Sequence, residues 1–239
     1  IDINGAVAMD GAITGATNIT LSGELDAATL DISGNADIDG TLETDAITLG
    51  GASFIKVEGT NFTDSLLVGH ATSGTLDAAS QNTGVGIDAL DALTTGDNNV
   101  AVGFAAGTAM NSGANNVAVG NIAGTAIVGG YRNAFIGAEA GEALVSGYYN
   151  ACIGSKAGEL LTGNWNTLIG PQSGDNITSG DGNVILGSVD ADSATGDRQL
   201  KIAGYDQSTT TTWISGDSSG NLTMPAEIAA VSLDISGAI

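Results

Sequence analysis

Asn99-Val-Ala-Val-Gly103 and Asn116-Val-Ala-Val-Gly120 are the same phrase written twice. Five further copies flank them: Asn82-Thr-Gly-Val-Gly86, Asn133-Ala-Phe-Ile-Gly137, Asn150-Ala-Cys-Ile-Gly154, Asn166-Thr-Leu-Ile-Gly170 and Asn183-Val-Ile-Leu-Gly187. The leading Asn recurs with a 17-residue period, shortened by a single position between Asn150 and Asn166. A short fixed period means one structural unit stacked on itself. Such a stack has a long surface and few concavities, which points away from a pocketed enzyme.

Within each phrase the alternation of a strand separates two faces. The second and fourth positions hold Val100/Val102, Val117/Val119, Ala134/Ile136, Ala151/Ile153, Thr167/Ile169 and Val184/Leu186. The third position holds Ala101, Ala118, Phe135, Cys152, Leu168 and Ile185. Both faces are apolar, which marks a strand covered on both sides. A 17-residue coil is too thin to do this alone, so a second copy must cover the third-position face, with a contact that thickens from Gly84 to Ile185, and an obligate oligomer is expected. Ile153 is expected to face inward and to reject a charge. Cys152 is expected to be a small buried hydrophobe, because free Cys packs that way.

Three Gly columns recur, at 86–187, 107–174 and 96–180, and mark corners with positive φ or close backbone approach. The Asn that opens each phrase can bond nearby backbone or stack as an amide ladder. The segment after each phrase, as in Ala140-Gly-Glu-Ala-Leu144, fits one helical turn or a second short strand. The strand is the favoured reading. At one coil per repeat and about 4.8 Å per coil, seven repeats span roughly 35 Å.

Around this core, residues 1–50 read as short β shaft repeats, with phrases such as Leu30-Asp-Ile-Ser-Gly34 that alternate and stop at Gly. Residues 51–81 are denser in apolar side chains and read as an adaptor. Residues 82–187 are the repeats, and 188–239 return to the shaft texture, with Leu233-Asp-Ile-Ser-Gly237 echoing the first segment. The chain starts without Met and mid-pattern, so it reads as a piece of a longer rod.

Composition narrows the partners. Glycine supplies 37 of 239 residues, about twice average usage, while the 2 prolines exclude collagen. With 27 acidic and 5 basic residues the net charge is −22, which offers no basic stripe for nucleic acid and disfavours an anionic membrane surface. No apolar run is long enough for a transmembrane helix. The single Cys152 excludes a disulfide framework and a Cys-based zinc site.

The phrase Asn-Val-Ala-Val-Gly followed by Ala-Gly resembles the head repeats of trimeric autotransporter adhesins, the YadA-like parallel β-roll. The 17-residue version, with linkers such as Thr95-Gly-Asp-Asn98, more closely resembles tail fibres of marine bacteriophages. Leu30-Asp-Ile-Ser-Gly-Asn-Ala-Asp-Ile-Asp-Gly40, Asp64-Ser-Leu-Leu-Val-Gly69 and Gly216-Asp-Ser-Ser-Gly-Asn-Leu-Thr-Met224 look like phrases common in such fibres. The resemblance implies an all-β, trimeric parallel β-roll or β-solenoid flanked by trimeric β-helical shaft segments. It implies a homotrimer joined to neighbouring fibre segments, an extracellular place in the virion, and attachment to a host surface glycan or protein. A glycan depolymerase on a trimeric β-helix and a fragment of a bacterial adhesin are the competing readings.

No catalytic, cofactor or metal set is expected. Asp190-Ala-Asp192 with Asp197 lacks the third alternating ligand, the sixth-position Gly and the terminal Glu of a calcium loop. His70, the only histidine, has no recognisable nucleophile spacing around it. The candidate contact surface is positional. Tyr131-Arg132, Tyr148-Tyr149 and Trp165 stand just before the Asn of three successive repeats, where other copies carry small or polar residues. Stacked on one edge of the roll, they form either a platform for sugar rings or a cap on a groove between subunits. The expected core of roll and trimer comprises Val100, Val102, Val117, Val119, Phe135, Ile136, Cys152, Ile153, Leu168, Ile169, Ile185 and Leu186.

Overall fold

The computed structural model describes residues 47–49, 52–59, 62–68 and 77–225. Most of the shaft phrases in 1–50, the closing phrase at 233–237 and His70 lie outside them. The described residues hold no helix and form fourteen strands. These are β1 (Ile47–Leu49), β2 (Ala52–Gly59), β3 (Phe62–Val68), β4 (Ala79–Ser80), β5 (Thr83–Val85), β6 (Val100–Val102) and β7 (Val117–Val119). There follow β8 (Ala134–Ile136), β9 (Ala151–Ile153), β10 (Thr167–Ile169), β11 (Val184–Leu186), β12 (Leu200–Tyr205), β13 (Thr210–Gly216) and β14 (Leu222–Thr223).

From β3 through β5 to β12, eight successive pairings are parallel, so this region is a parallel β-solenoid. At about 4.8 Å per pairing the stack rises roughly 38 Å. The register never slips: Val100, Val117, Ala134, Ala151, Thr167 and Val184 lie directly over one another. The shorter coil between Asn150 and Asn166 keeps this register because its missing residue comes out of a turn. Leu161-Thr-Gly163 replaces Leu144-Val-Ser-Gly147. Antiparallel pairing flanks the stack at both ends, as β1-β2-β3 before it and β12-β13-β14 after it.

Besides its leading Asn, each of these coils buries three side chains. Phe135, Ala140 and Leu144 fill one coil, Cys152, Ala157 and Leu161 the next, and Leu168, Ser173 and Ile177 the one after, all with no exposed surface. A fully buried Leu, Ile or Phe contributes about 1.5–3 kcal/mol. Three such groups cannot order a whole coil alone, so the coil is stable only within the stack.

The first Gly column fixes the corner after each strand. Gly137 has φ +137°, and a Cβ there would lie 2.5 Å from the backbone of Gly154 in the next coil. Only Gly meets both conditions.

Two expectations are corrected. The segments that follow, read as second strands, are paired turns. In the first, Ala140 donates to the carbonyl of Gly137 (3.3 Å), and in the second, Leu144 donates to that of Gly141 (3.2 Å). Other amides of the segment bond to the neighbouring coil, as Gly141 does to Ala157 (3.0 Å), which satisfies the backbone without a strand. Ile153, expected inward, faces out and is 38 % exposed, while its neighbour Cys152 is wholly inside. The third position of every phrase, expected to meet a second copy, fills the coil, and the second and fourth point away from it. Gly124 and Gly141 supply the room that Phe135 occupies.

Candidate functional site

The Asn opening each phrase is structural. All seven, Asn82, Asn99, Asn116, Asn133, Asn150, Asn166 and Asn183, are buried. Asn116 Oδ1 accepts the backbone N–H (3.0 Å) and the Nδ2 (3.0 Å) of Asn133, whose Nδ2 also donates to the carbonyl of Gly147 (2.9 Å). Sequence reasoning missed one further rung. Gln199 donates its N–H (2.8 Å) and Nε2 (3.1 Å) to Asn183 Oδ1. The signal was present: Gln199 follows Asn183 by the same short step that separates Asn150 from Asn166.

The two residues before each rung form two columns on the surface. The column nearer the rung reads Asn98, Asn115, Arg132, Tyr149, Trp165, Gly182 and Arg198, and each has φ between 51° and 68°. Asn and Gly enter this left-handed region readily. Arg132, Tyr149 and Trp165 do so at a cost of about 1–2 kcal/mol each. The geometry is held because each N–H bonds one coil back, as in Tyr149 to the carbonyl of Tyr131 (3.3 Å) and Trp165 to that of Tyr148 (3.0 Å).

The outer column reads Asp97, Ala114, Tyr131, Tyr148, Asn164, Asp181 and Asp197. Where it is acidic or amide, the side chain clamps the preceding coil: Asp181 Oδ1 accepts the N–H of Asn164 (2.6 Å), and Asp197 Oδ1 that of Asp181 (2.9 Å). At Ala114, Tyr131 and Tyr148 parallel backbone bridges take over, so the tyrosine side chains are free to stack.

The structure brings together all five residues singled out from the sequence. Tyr131 and Tyr148 stack with centroids 5.0 Å apart and planes 6° apart. Tyr149 and Trp165 stack at 4.1 Å and 16°. The Arg132 guanidinium lies 5.2 Å from the Tyr149 centroid, and Arg132 also hydrogen-bonds to the Tyr149 hydroxyl. Tyr148 meets Tyr149 and Trp165 edge-on. The result is a two-column ladder across three coils, with Trp165 56 % exposed at one end. Stacked and edge-to-face pairs are worth about 0.5–1.5 kcal/mol each. Their summed attraction is of the same order as the backbone strain they offset, so packing alone gives this arrangement little net stability.

The other chemistry-bearing groups are accounted for by one another. Glu139, Glu142 and Glu159 converge, but the Lys156 ammonium lies 2.8 Å from Glu139 and 3.3 Å from Glu159 and supplies the positive charge. The hydrogen bonds that Lys156 donates to those two glutamates hold its pKa above the ordinary value. Asp192, read at sequence level beside a weak calcium pattern, pairs with Lys201. Lys201 stands at the inward register position next to Ile185, and so ends the apolar core with a charge. Burial, a hydrogen bond that the protonated Asp175 carboxyl donates to Asp190, and the nearby Asp190 charge push Asp175 up to about 6. Burial pushes the Cys152 thiol far above its ordinary value, so it is not a nucleophile.

No protein-family model, curated protein or solved structure matches this chain. Among the described residues no helix is long and apolar enough to cross a membrane.

Proposed function

We propose that this chain is a structural and adhesive module of a trimeric fibre of the phage tail-fibre type, non-enzymatic and extracellular, that attaches to a bacterial surface through its aromatic ladder. The observation that carries the reading is the second apolar face of the solenoid sheet. Val85, Val102, Ile136, Ile153 and Ile169 form a column 37–41 % exposed. Beside it Val100, Val117, Ala134, Ala151 and Thr167 form a half-buried column. A regular apolar stripe of this kind on a chain of net charge −22 requires a cover. A second copy of the same stripe in register is the cover of matching length and period. Three copies around one axis cover every stripe without leaving an open edge.

The ladder supplies the adhesive half. Aromatic faces offer apolar area at low entropy cost, and Arg132 adds a planar donor fork. Both suit a surface glycan, which presents apolar ring faces edged by hydroxyls. Sedimentation equilibrium tests the assembly, with three times 23.4 kDa as the expected mass. A stable folded monomer would overturn it.

A further inference from the structure

The inner column continues past Trp165 with a gap. In order it reads Arg132, Tyr149, Trp165, Gly182, Arg198, so a stack of three side chains is followed by an empty rung and then a fourth side chain. Tyr149 covers one face of the Trp165 indole. The other side of Trp165 borders a cavity of about 230 Å³ lined also by Asp181, Gly182, Asp197 and Arg198. A Cβ on Gly182 would meet a single atom, Arg198 Cγ at 3.5 Å, so the rung is open for want of a side chain and not because backbone fills it.

We infer that the open rung at Gly182 is a slot for a single neutral pyranose ring, held between the Trp165 indole and the Arg198 side chain; this rests on the ladder being the ligand-contacting surface. Three observations converge on that occupant. The first is thickness. Trp165 and Arg198 are two coils apart, roughly 9.6 Å along the stack. A ring placed on Trp165 at the 4.1 Å spacing that Tyr149 keeps on its other face falls midway to Arg198. The second is size. The depression is open to solvent and holds about 230 Å³, below the range of about 300–1,000 Å³ that holds drug-sized ligands, so one ring is what it can seat against Trp165. The third is charge. Asp181 and Asp197 repel anions, and Arg198 repels cations, so a neutral ring is the species penalised by neither. The hydroxyls of such a ring have partners on both sides. Asp181 and Asp197 each use Oδ1 to clamp the neighbouring coil, which leaves Oδ2 to accept, and the Arg198 guanidinium donates.

The test uses the full chain with Trp213→Phe, so that Trp165 is its sole tryptophan. The methyl pyranosides of glucose, galactose and mannose are titrated against Trp165 fluorescence and by saturation-transfer NMR. At least one is expected to bind, and Gly182→Trp, read by saturation-transfer NMR alone because it adds a second indole, is expected to weaken it at least about tenfold. Trp165 itself sits at φ 61°, so a Trp at the φ of 68° of Gly182 carries the same left-handed strain that this column already tolerates at Trp165. Gly182→Asn gives a second occupied rung with the residue found at Asn98 and Asn115, and is expected to weaken binding as well. The Tyr131→Ser/Tyr148→Ser variant leaves the slot intact and is expected to retain the sugar. Sedimentation and melting confirm that each variant is assembled. Binding that survives both Gly182 substitutions, or no binding of any pyranoside to the parent chain, overturns the slot. Host-cell attachment lost on replacing Tyr149 and Trp165 but indifferent to Gly182→Trp overturns the slot and leaves the ladder standing. Attachment indifferent to all of these overturns both.

Discussion

The carboxamide oxygen of Asn133 accepts two hydrogen bonds from Asn150, one from its backbone N–H at 3.0 Å and one from its Nδ2 at 3.1 Å. One buried atom thus satisfies two donors of the next coil, and the relationship repeats along the stack. Asn133→Ala removes it and also leaves the carbonyl of Gly147 without its donor. Each unsatisfied buried group costs about 1–3 kcal/mol. The expected loss is therefore at least about 3 kcal/mol per chain, read as a fall in Tm. Asn133→Asp should be nearly as damaging, because a carboxylate keeps the acceptor but cannot donate to Asn116 or Gly147. A variant that melts with the parent would show that the ladder is not a stabilising element.

Gly137→Ala tests the corner. The substitution forces a Cβ into φ +137° and to 2.5 Å from the Gly154 backbone. Strained φ alone costs about 1–3 kcal/mol, and the overlap adds to it by prising two coils apart. Gly129→Ala is the control. Its Cβ would meet nothing closer than the Ser112 hydroxyl at 3.6 Å. The control should melt within about 0.5 kcal/mol of the parent, and similar melting of the two variants would contradict the corner geometry.

The coil period, the all-β class and the five ladder residues were legible because each is a matter of register, and register is what a repeated sequence displays. The direction of the strand was not legible. Cys152 and Ile153 are both apolar, and alternation separates two faces without saying which is inside. Burial decides that, and it depends on Gly124, Gly141 and the inward Leu144 and Leu161, which lie on other corners of the coil. The paired turns were missed because Ala-Gly-Glu-Ala-Leu satisfies both strand and helix spacing, while its structure follows from positive φ at residues such as Glu139 that no propensity favours. The slot at Gly182 was invisible because a missing side chain matters only once its two neighbours are known to be Trp165 and Arg198.

Ile153→Asp and Cys152→Ser separate the two faces. Ile153 lies on the outward stripe, so its replacement is expected to abolish the proposed trimer at micromolar concentration. Three-fold symmetry would bring three carboxylates together. Cys152→Ser puts a hydroxyl in the coil interior and is expected to cost about 1–3 kcal/mol while the trimer persists. A thiol reagent should label Cys152 only after unfolding, since the group is fully buried. A trimer that survives Ile153→Asp would remove the outward stripe from the interface.

The Asp175–Asp190 pair predicts a pH effect of defined sign. Folding raises Asp175 from its ordinary 3.8 to about 6. Between those values the folded chain holds more protons than the unfolded one, so stability falls as pH rises through this window. The penalty is absent below about pH 4 and complete above about pH 6. It is modest, because the carboxyl is only partly buried and solvent screens it. Asp175→Asn should raise Tm at pH 7 and leave it nearly unchanged at pH 4. Equal effects at both pH values would mean that the pair is not strained.

Tyr149→Asn with Trp165→Asn puts the ladder itself to the test. Both residues hold left-handed φ, and Asn98 and Asn115 already occupy that conformation in the same column. The double variant gives up one stacked pair, the two edge contacts of Tyr148, the edge contact of Tyr131 with Tyr149 and the Arg132 contact, worth about 0.5–1.5 kcal/mol apiece. In return it relieves strain of about 1–2 kcal/mol at each of two positions. The strain relieved offsets much of that loss, so stability should fall by only about 2 kcal/mol, and the proposed trimer should form. Host-cell attachment should fall at least about tenfold, because the exposed aromatic surface is gone. A structural ladder predicts the opposite pairing, with a large loss of Tm and unchanged attachment. The strain is what makes the two outcomes separable: a residue kept for packing would not be placed where its backbone offsets much of the gain.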